Sequence, residues 1–133
     1  MEMTREQLEQ YRSNMEEIKE LTYKLEHLDE GDALIGNDVV FDYRTGYPKP
    51  QSVVGYDYEL EARRRDMYSK RIIKLKEECA DTETWIDSIP NSLIRRIFRM
   101  SFIEGLSQQK VAGRVHLSQS SISKKIDAFL KME

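Results

Sequence analysis

Residues 107–131 read SQQKVAGRVHLSQSSISKKIDAFLK, and the spacing of their apolar positions predicts two short helices around a tight turn. Val111, Ala112 and Val115 make an apolar stripe on the first helix. Leu117 anchors a three-residue turn, and Ser118 is a good N-cap for the second helix. There Ile122, Ile126 and Phe129 recur at three- and four-residue steps and share one face. The opposite face carries Gln119, Ser120, Ser123, Lys124 and Asp127. Ala112 and Gly113 are small enough for two helices to cross closely, and the serines keep the start of the second helix slim. A helix that is apolar inside and small, polar or basic outside is what the major groove of DNA admits. The segment therefore reads as a helix-turn-helix with double-stranded DNA as its partner, although a compact helical hairpin that never meets DNA has the same apolar pattern. His116 stands where many such turns carry glycine, and histidine is among the residues enriched at positive φ.

That reading assigns roles to individual side chains. Gln119, Ser120, Ser123 and Lys124 are the candidate base readers. A glutamine pairs bidentately with adenine, and a lysine reaches O6 and N7 of guanine. Ser107, Gln108, Lys110, Arg114, Ser118, Lys125 and Lys131 are the candidate backbone contacts, which set register on the duplex.

The charge distribution agrees with an anionic partner for this end of the chain. The whole sequence of 133 residues has a net charge of −3. Residues 1–60 hold 14 acidic and 6 basic residues, whereas residues 61–133 hold 10 acidic and 15 basic. From Pro90 onward there are 8 basic residues and 3 acidic. Such an asymmetry is the electrostatic footprint of a nucleic-acid binder, and its modest size predicts a salt dependence of a few phosphates.

Working outward, Pro90 stops the preceding helix and Asn91 or Ser92 caps the next. LIRRIFRMSFI at 93–103 is expected to be one helix, apolar over much of its circumference. Gly105 closes it and Ser107 caps the first motif helix. Residues 90–133 thus form a C-terminal domain. Residues 57–89 are expected to be a long helix with Leu60, Tyr68, Ile72, Leu75, Cys79 and Ile86 along one stripe, and Trp85 joins it to the C-terminal core. Residues 1–28 form an N-terminal amphipathic helix opened by a capping box between Thr4 and Gln7. Residues 29–56 break the period: they hold four of the six glycines and two of the three prolines, and read as an irregular loop with room for a small hairpin.

The first helix is acidic and the first half of the second long helix is basic. Opposite charges favour pairing the two as a coiled-coil hairpin, within one chain or between copies in a homo-oligomer. The basic run from Arg63 to Lys76 is either a solvated or paired face or a contact to DNA backbone. The expected fold class is all-α.

Other chemistries find no support. No apolar run approaches the roughly 20 residues of a membrane span, and the polar, acidic start does not resemble a signal peptide. One cysteine, Cys79, makes no internal disulfide and reads as a small hydrophobe. There is no glycine-rich phosphate loop, no Cys/His metal spacing and no nucleophile motif, and His27 and His116 have no catalytic partner. The expectation is a cytoplasmic binding protein, not an enzyme, with no metal or cofactor.

Residues 85–131, WIDSIPNSLIRRIFRMSFIEGLSQQKVAGRVHLSQSSISKKIDAFLK, resemble the helix-turn-helix of sigma factor region 4. There a Val/Ile–Ala pair on a capped helix precedes Ser-led recognition residues, as at Val111–Ala112 and Ser118–Ile122. The segments WIDSIP, LIRRIF, FIEGLS, KVA and the final basic helix also resemble the ArpU/RinA-like late transcriptional regulators of prophages in Gram-positive bacteria. NDVVFDYRTGYPKP…VVGYDYE at 37–59 is similar to the loop before the long helix in that family. This chain has Ser101–Phe102 where the family often carries Arg-Tyr, and Gln108 or Gln109 where it carries an aromatic. These departures bear on partner contacts more than on the fold. The resemblance implies a DNA-binding activator of late phage genes in a bacterial host cell, with host RNA polymerase as a further partner. Two other readings share the pattern. One is a small terminase subunit, which joins a helix-turn-helix to an oligomerising helical part for genome packaging. The other is a sigma-like module that docks on RNA polymerase and grips DNA weakly.

Overall fold

The computed structural model describes residues 2–28 and 58–132. The loop expected at 29–56 lies outside the described residues. Among those residues all regular structure is helical. The helices are α1 (Arg5–Glu26), α2 (Tyr58–Asp87), α3 (Ser92–Phe98) continuing into a π-helical turn (Arg99–Ile103), α4 (Gln108–Val115) and α5 (Gln119–Met132). None of the described helices is long and apolar enough to cross a membrane. The chain divides into two compact units, one of Met1–Glu16 with Leu75–Glu133 and one of Glu17–Lys74.

In the first unit α1 opens as its sequence dictates. The Thr4 amide donates to Gln7 Oε1 at 2.9 Å and the Gln7 amide donates to Thr4 Oγ1 at 3.1 Å. This reciprocal exchange satisfies two amides that the first helical turn leaves without partners. The period of α1 places Leu8 and Tyr11 on one side, and both are buried, as is Met3 just before the helix. Met3 and Leu8 join a single core with Trp85, Ile86 and Ile89 of the long helix and its end, Ile97 and Phe98 of α3, and Met100 and Phe102 of the π-helical turn. Val111, Ala112, Ile122 and Ile126 complete it. The core beneath the C-terminal helices is thus built from both ends of the chain. Forty-odd residues bury too little apolar surface to close a stable core alone, and α1 and α2 supply the missing wall.

Aromatic rings centre this core. Phe98 lies 5.7 Å from Trp85, 5.5 Å from Phe102 and 5.4 Å from Phe129, centroid to centroid, in tilted and edge-on arrangements that suit the ring quadrupoles. On the flank of the same unit the Tyr11 hydroxyl donates to Glu83 Oε2 at 2.5 Å. Burial, the hydrogen bond and the Glu83 charge all push the tyrosine pKa up, and burial likewise raises that of Cys79.

Between α2 and α4 the structure departs from the sequence reading. Asn91 is the cap of α3, accepting from the Ile94 amide at 3.0 Å. The run 93–103, expected to be one α-helix, is α-helical only to Phe98 and then widens into a π-helical turn in which the Glu104 amide bonds to Arg99 O at 3.0 Å. No glycine or proline within the run announces this widening. Arg12 of α1 donates to Ile103 O at 3.2 Å, so a carbonyl near the end of the helix is satisfied by a distant side chain. Gly105 then takes a left-handed conformation, φ +72°, and the Leu106 amide reaches back to Met100 O at 2.9 Å. This is the glycine-terminated helix end expected at that position.

In the second unit the described residues are the end of α1, residues 27–28 and the first part of α2. Leu21, Leu28 and Ile72 are buried. Arg71 pairs with Glu17 at 3.4 Å, and the Lys24 ammonium stands 6.0 Å from the centre of the Tyr68 ring.

Candidate nucleic-acid interface

The α4–α5 pair is shaped by caps. Ser107 holds extended backbone and its hydroxyl accepts from the Lys110 amide at 3.2 Å, which starts α4. The helix ends at Val115, and His116 takes the left-handed conformation with φ 60° and ψ 45°. That reversal lets the amides of His116 and Leu117 both bond back to Ala112 O. After Leu117 and Ser118, α5 begins. The Ser121 amide donates to Ser118 Oγ at 3.2 Å, and the Ser118 hydroxyl donates on to Ser121 Oγ at 2.9 Å. Val111, Ala112, Ile122 and Ile126 are buried beneath the turn, as their spacing predicts.

One expectation is corrected here. Gly113 does not allow a close helix crossing: a methyl group added there meets nothing within 4 Å. At 100° per residue Gly113 lies opposite the Val111–Val115 stripe, and Ala112 is the small residue at the helix contact. Gly113→Ala should therefore stabilise the protein by about 0.5–1 kcal/mol, because the glycine costs helix entropy and leaves no crossing to protect. A urea titration followed by helical circular dichroism measures it, and a loss of stability would show that the site is crowded.

The outward face of the pair holds most of the residues singled out from sequence. Gln119, Ser120 and Lys124 are exposed on the first two turns of α5, and Ser123 beside them is half-buried. Lys110 and Arg114 are exposed on α4, as are the capping residues Ser107 and Ser118 and, at the far end of α5, Lys131. Gln108 and Lys125 are half-buried. By helical angle Lys125 falls on the opposite side of α5 from the Gln119–Lys124 face. None of Lys110, Arg114, Lys124, Lys125 and Lys131 enters an ion pair among the described residues. The first turn of α5 contains no acidic residue, so its positive dipole end is left uncompensated.

Asp127 falls in the middle of this face by helical angle and would oppose a polyanion. It is bonded to Arg5 of α1 at 2.5 Å. Arg5 also binds Glu9 at 3.1 Å, and the hydrogen bond to Glu9, then that to Asp127, raise the guanidinium pKa above its ordinary value. The Asp127 carboxylate is thereby paired, although it shares the one guanidinium with Glu9. Sequence reasoning missed Arg5: it sits on an acidic helix 122 positions away, and no local pattern connects the two.

Chemically, this is a row of amide, hydroxyl and ammonium groups on a rigid helix, backed by a packed core and flanked by unopposed cations. It suits hydrogen bonding to base edges and attraction of phosphates. The chain matches no protein-family model, no curated protein and no solved structure.

Proposed function

We propose that this protein is a sequence-specific double-stranded DNA-binding transcription regulator, with α4 and α5 acting as a helix-turn-helix of the sigma-region-4 kind. The observation that carries the reading is the face of α5. Its first two turns expose Gln119, Ser120 and Lys124, with half-buried Ser123 beside them, while the one carboxylate on that face is paired with Arg5. In this reading α5 lies in the major groove with its N-terminal turns on base edges. Lys110 and Arg114 hold the backbone together with Ser107, Gln108, Ser118, Lys125 and Lys131. The long helices form a hairpin through which copies of the chain associate. The resemblance of residues 37–59 and 85–131 to phage late regulators supports activation of late prophage genes in a bacterial cytoplasm, with host RNA polymerase as a partner. The role is binding, and no catalytic step is assigned to any residue.

Two substitutions separate reading from holding. Gln119→Ala should relax discrimination at one base pair by roughly 1–3 kcal/mol, whereas Arg114→Ala should weaken all sequences alike. Affinities on a panel of duplexes, each with one base pair changed, give the answer. If both variants lose affinity uniformly across the panel, Gln119 does not read a base.

A further inference from the structure

The basic stretch of α2 is not used by the site described above. Residues 58–74 hold six basic and three acidic residues. The structure sorts them. Arg65 bonds to Glu61 at 2.9 Å and Arg71 to Glu17 at 3.4 Å. Arg63 and Lys74 are exposed and enter no ion pair among the described residues. Lys70 meets Asp66 at 3.0 Å, but the side chains are 76% and 64% exposed, so water screens the pair and holds it loosely.

At 100° per residue Arg63, Lys70 and Lys74 fall within about 40° of one another, on the side of the helix turned away from buried Ile72. The rise of 1.5 Å per residue spaces them by about 10 Å and about 6 Å, so the row is about 16 Å long. Met67, half exposed, lies beside the row, and exposed Ile73 lies about 60° round the helix from Lys70.

We propose that this side of α2 is a second phosphate-contacting surface that holds duplex DNA through its backbone, independently of α4 and α5. The proposal rests on the reading of α4 and α5 as a DNA-binding pair. The occupant follows from charge complementarity. A row of three cations, interrupted only by the solvent-screened Asp66 pair and bounded at its two ends by Glu59 and Glu77, matches a partner whose charge repeats regularly, and duplex DNA carries one negative charge per roughly 1.7 Å of axis. A protein partner would call for an aromatic or apolar anchor in a pocket. An anionic membrane would call for an apolar stripe to insert. Exposed Met67 and Ile73, about 120° apart around the helix, form neither a pocketed anchor nor a stripe. Because the contacts go to phosphates, they add affinity and salt dependence without sequence preference.

The test uses the full chain and a 40-base-pair duplex of random sequence, with affinity followed by fluorescence anisotropy over a salt series. Arg63→Gln and Lys74→Gln should each lower the slope of log affinity against log salt by about 0.9, one phosphate apiece. Arg65→Gln removes the same charge from another side of α2 and should leave the slope unchanged. Lys74→Arg should keep it at the wild-type value. Circular dichroism confirms that each variant is folded. If Arg63→Gln and Lys74→Gln keep the wild-type slope while Arg114→Ala lowers it, the α2 surface is refuted and the α4–α5 reading survives. If Arg65→Gln lowers the slope as much as the other two, bulk charge rather than a face is responsible, and the proposal falls. If the two α2 variants lose slope and Arg114→Ala does not, the surface stands and the holding role of α4 is wrong. Wild-type binding to vesicles rich in anionic lipid, lost in the α2 variants while duplex binding is unchanged, would overturn the proposal in favour of a membrane. No binding of the duplex by the wild type would end both readings.

Discussion

Phe98→Ala should destabilise the protein by about 3–5 kcal/mol, the range for removing a fully buried aromatic ring. Phe98 has no exposed surface and touches three other aromatic side chains, Trp85, Phe102 and Phe129. Those three come from α2, the π-helical turn and α5, so one ring ties its own helical run to the long helix before it and to the last helix of the chain. Its loss leaves a cavity that the caged neighbours cannot fill without abandoning their own packing. Small domains hold only about 5–15 kcal/mol in total, so the variant should stand near the threshold of folding. The readout is the urea midpoint by helical circular dichroism. A loss under about 1 kcal/mol would mean that this aromatic cluster is not the keystone of the core.

Leu8→Ala should cost about 2–5 kcal/mol, although Leu8 lies more than 80 residues from the helices it supports. Its side chain is fully buried in the same core as Ile97, Val111 and Ile122. The substitution should therefore lower the thermal stability of α4 and α5 as well as that of α1. DNA affinity should fall in parallel at temperatures where the variant begins to melt. A surface leucine of an independent N-terminal helix would instead change stability by less than about 0.5 kcal/mol. Amide exchange on Val111 and Ile122 gives the sharper comparison. Their protection should drop in the Leu8→Ala protein if α1 is a wall of this core. It should stay at the wild-type value if α1 is only an appendage.

Local chemistry was legible in the sequence and long-range chemistry was not. The caps at Thr4, Ser107 and Ser118, the left-handed His116 and the buried positions of α4 and α5 each follow from a side chain and its neighbours within four residues. The boundaries of α2 follow from an apolar period and from Pro90. The π-helical turn at Arg99–Ile103 has no such marker, because it lies in an unbroken helix-forming run and its final carbonyl is met by Arg12 from the other end of the chain. The docking of Met3 and Leu8 on the C-terminal core is illegible for the same reason: the helical period says that Leu8 is buried but not against what, and Met3, before the helix, has no period at all. Gly113 is a different case. Its angle relative to Val111 and Val115 already placed it on the open side, and its small size drew the wrong inference. On the candidate face, the exposed Gln119, Ser120 and Lys124 were recoverable from the pattern, whereas the partner of Asp127 was not.

Base reading by α5 is tested by a selection from random duplex DNA with the purified protein. The expected result is one enriched motif a few base pairs long. If copies associate through the long helices, that motif should recur at a spacing of about 10 base pairs, one turn of the double helix. Recovery of duplexes without any enriched sequence, with binding that simply fades as salt rises, would contradict base reading by α5 and leave backbone contact alone.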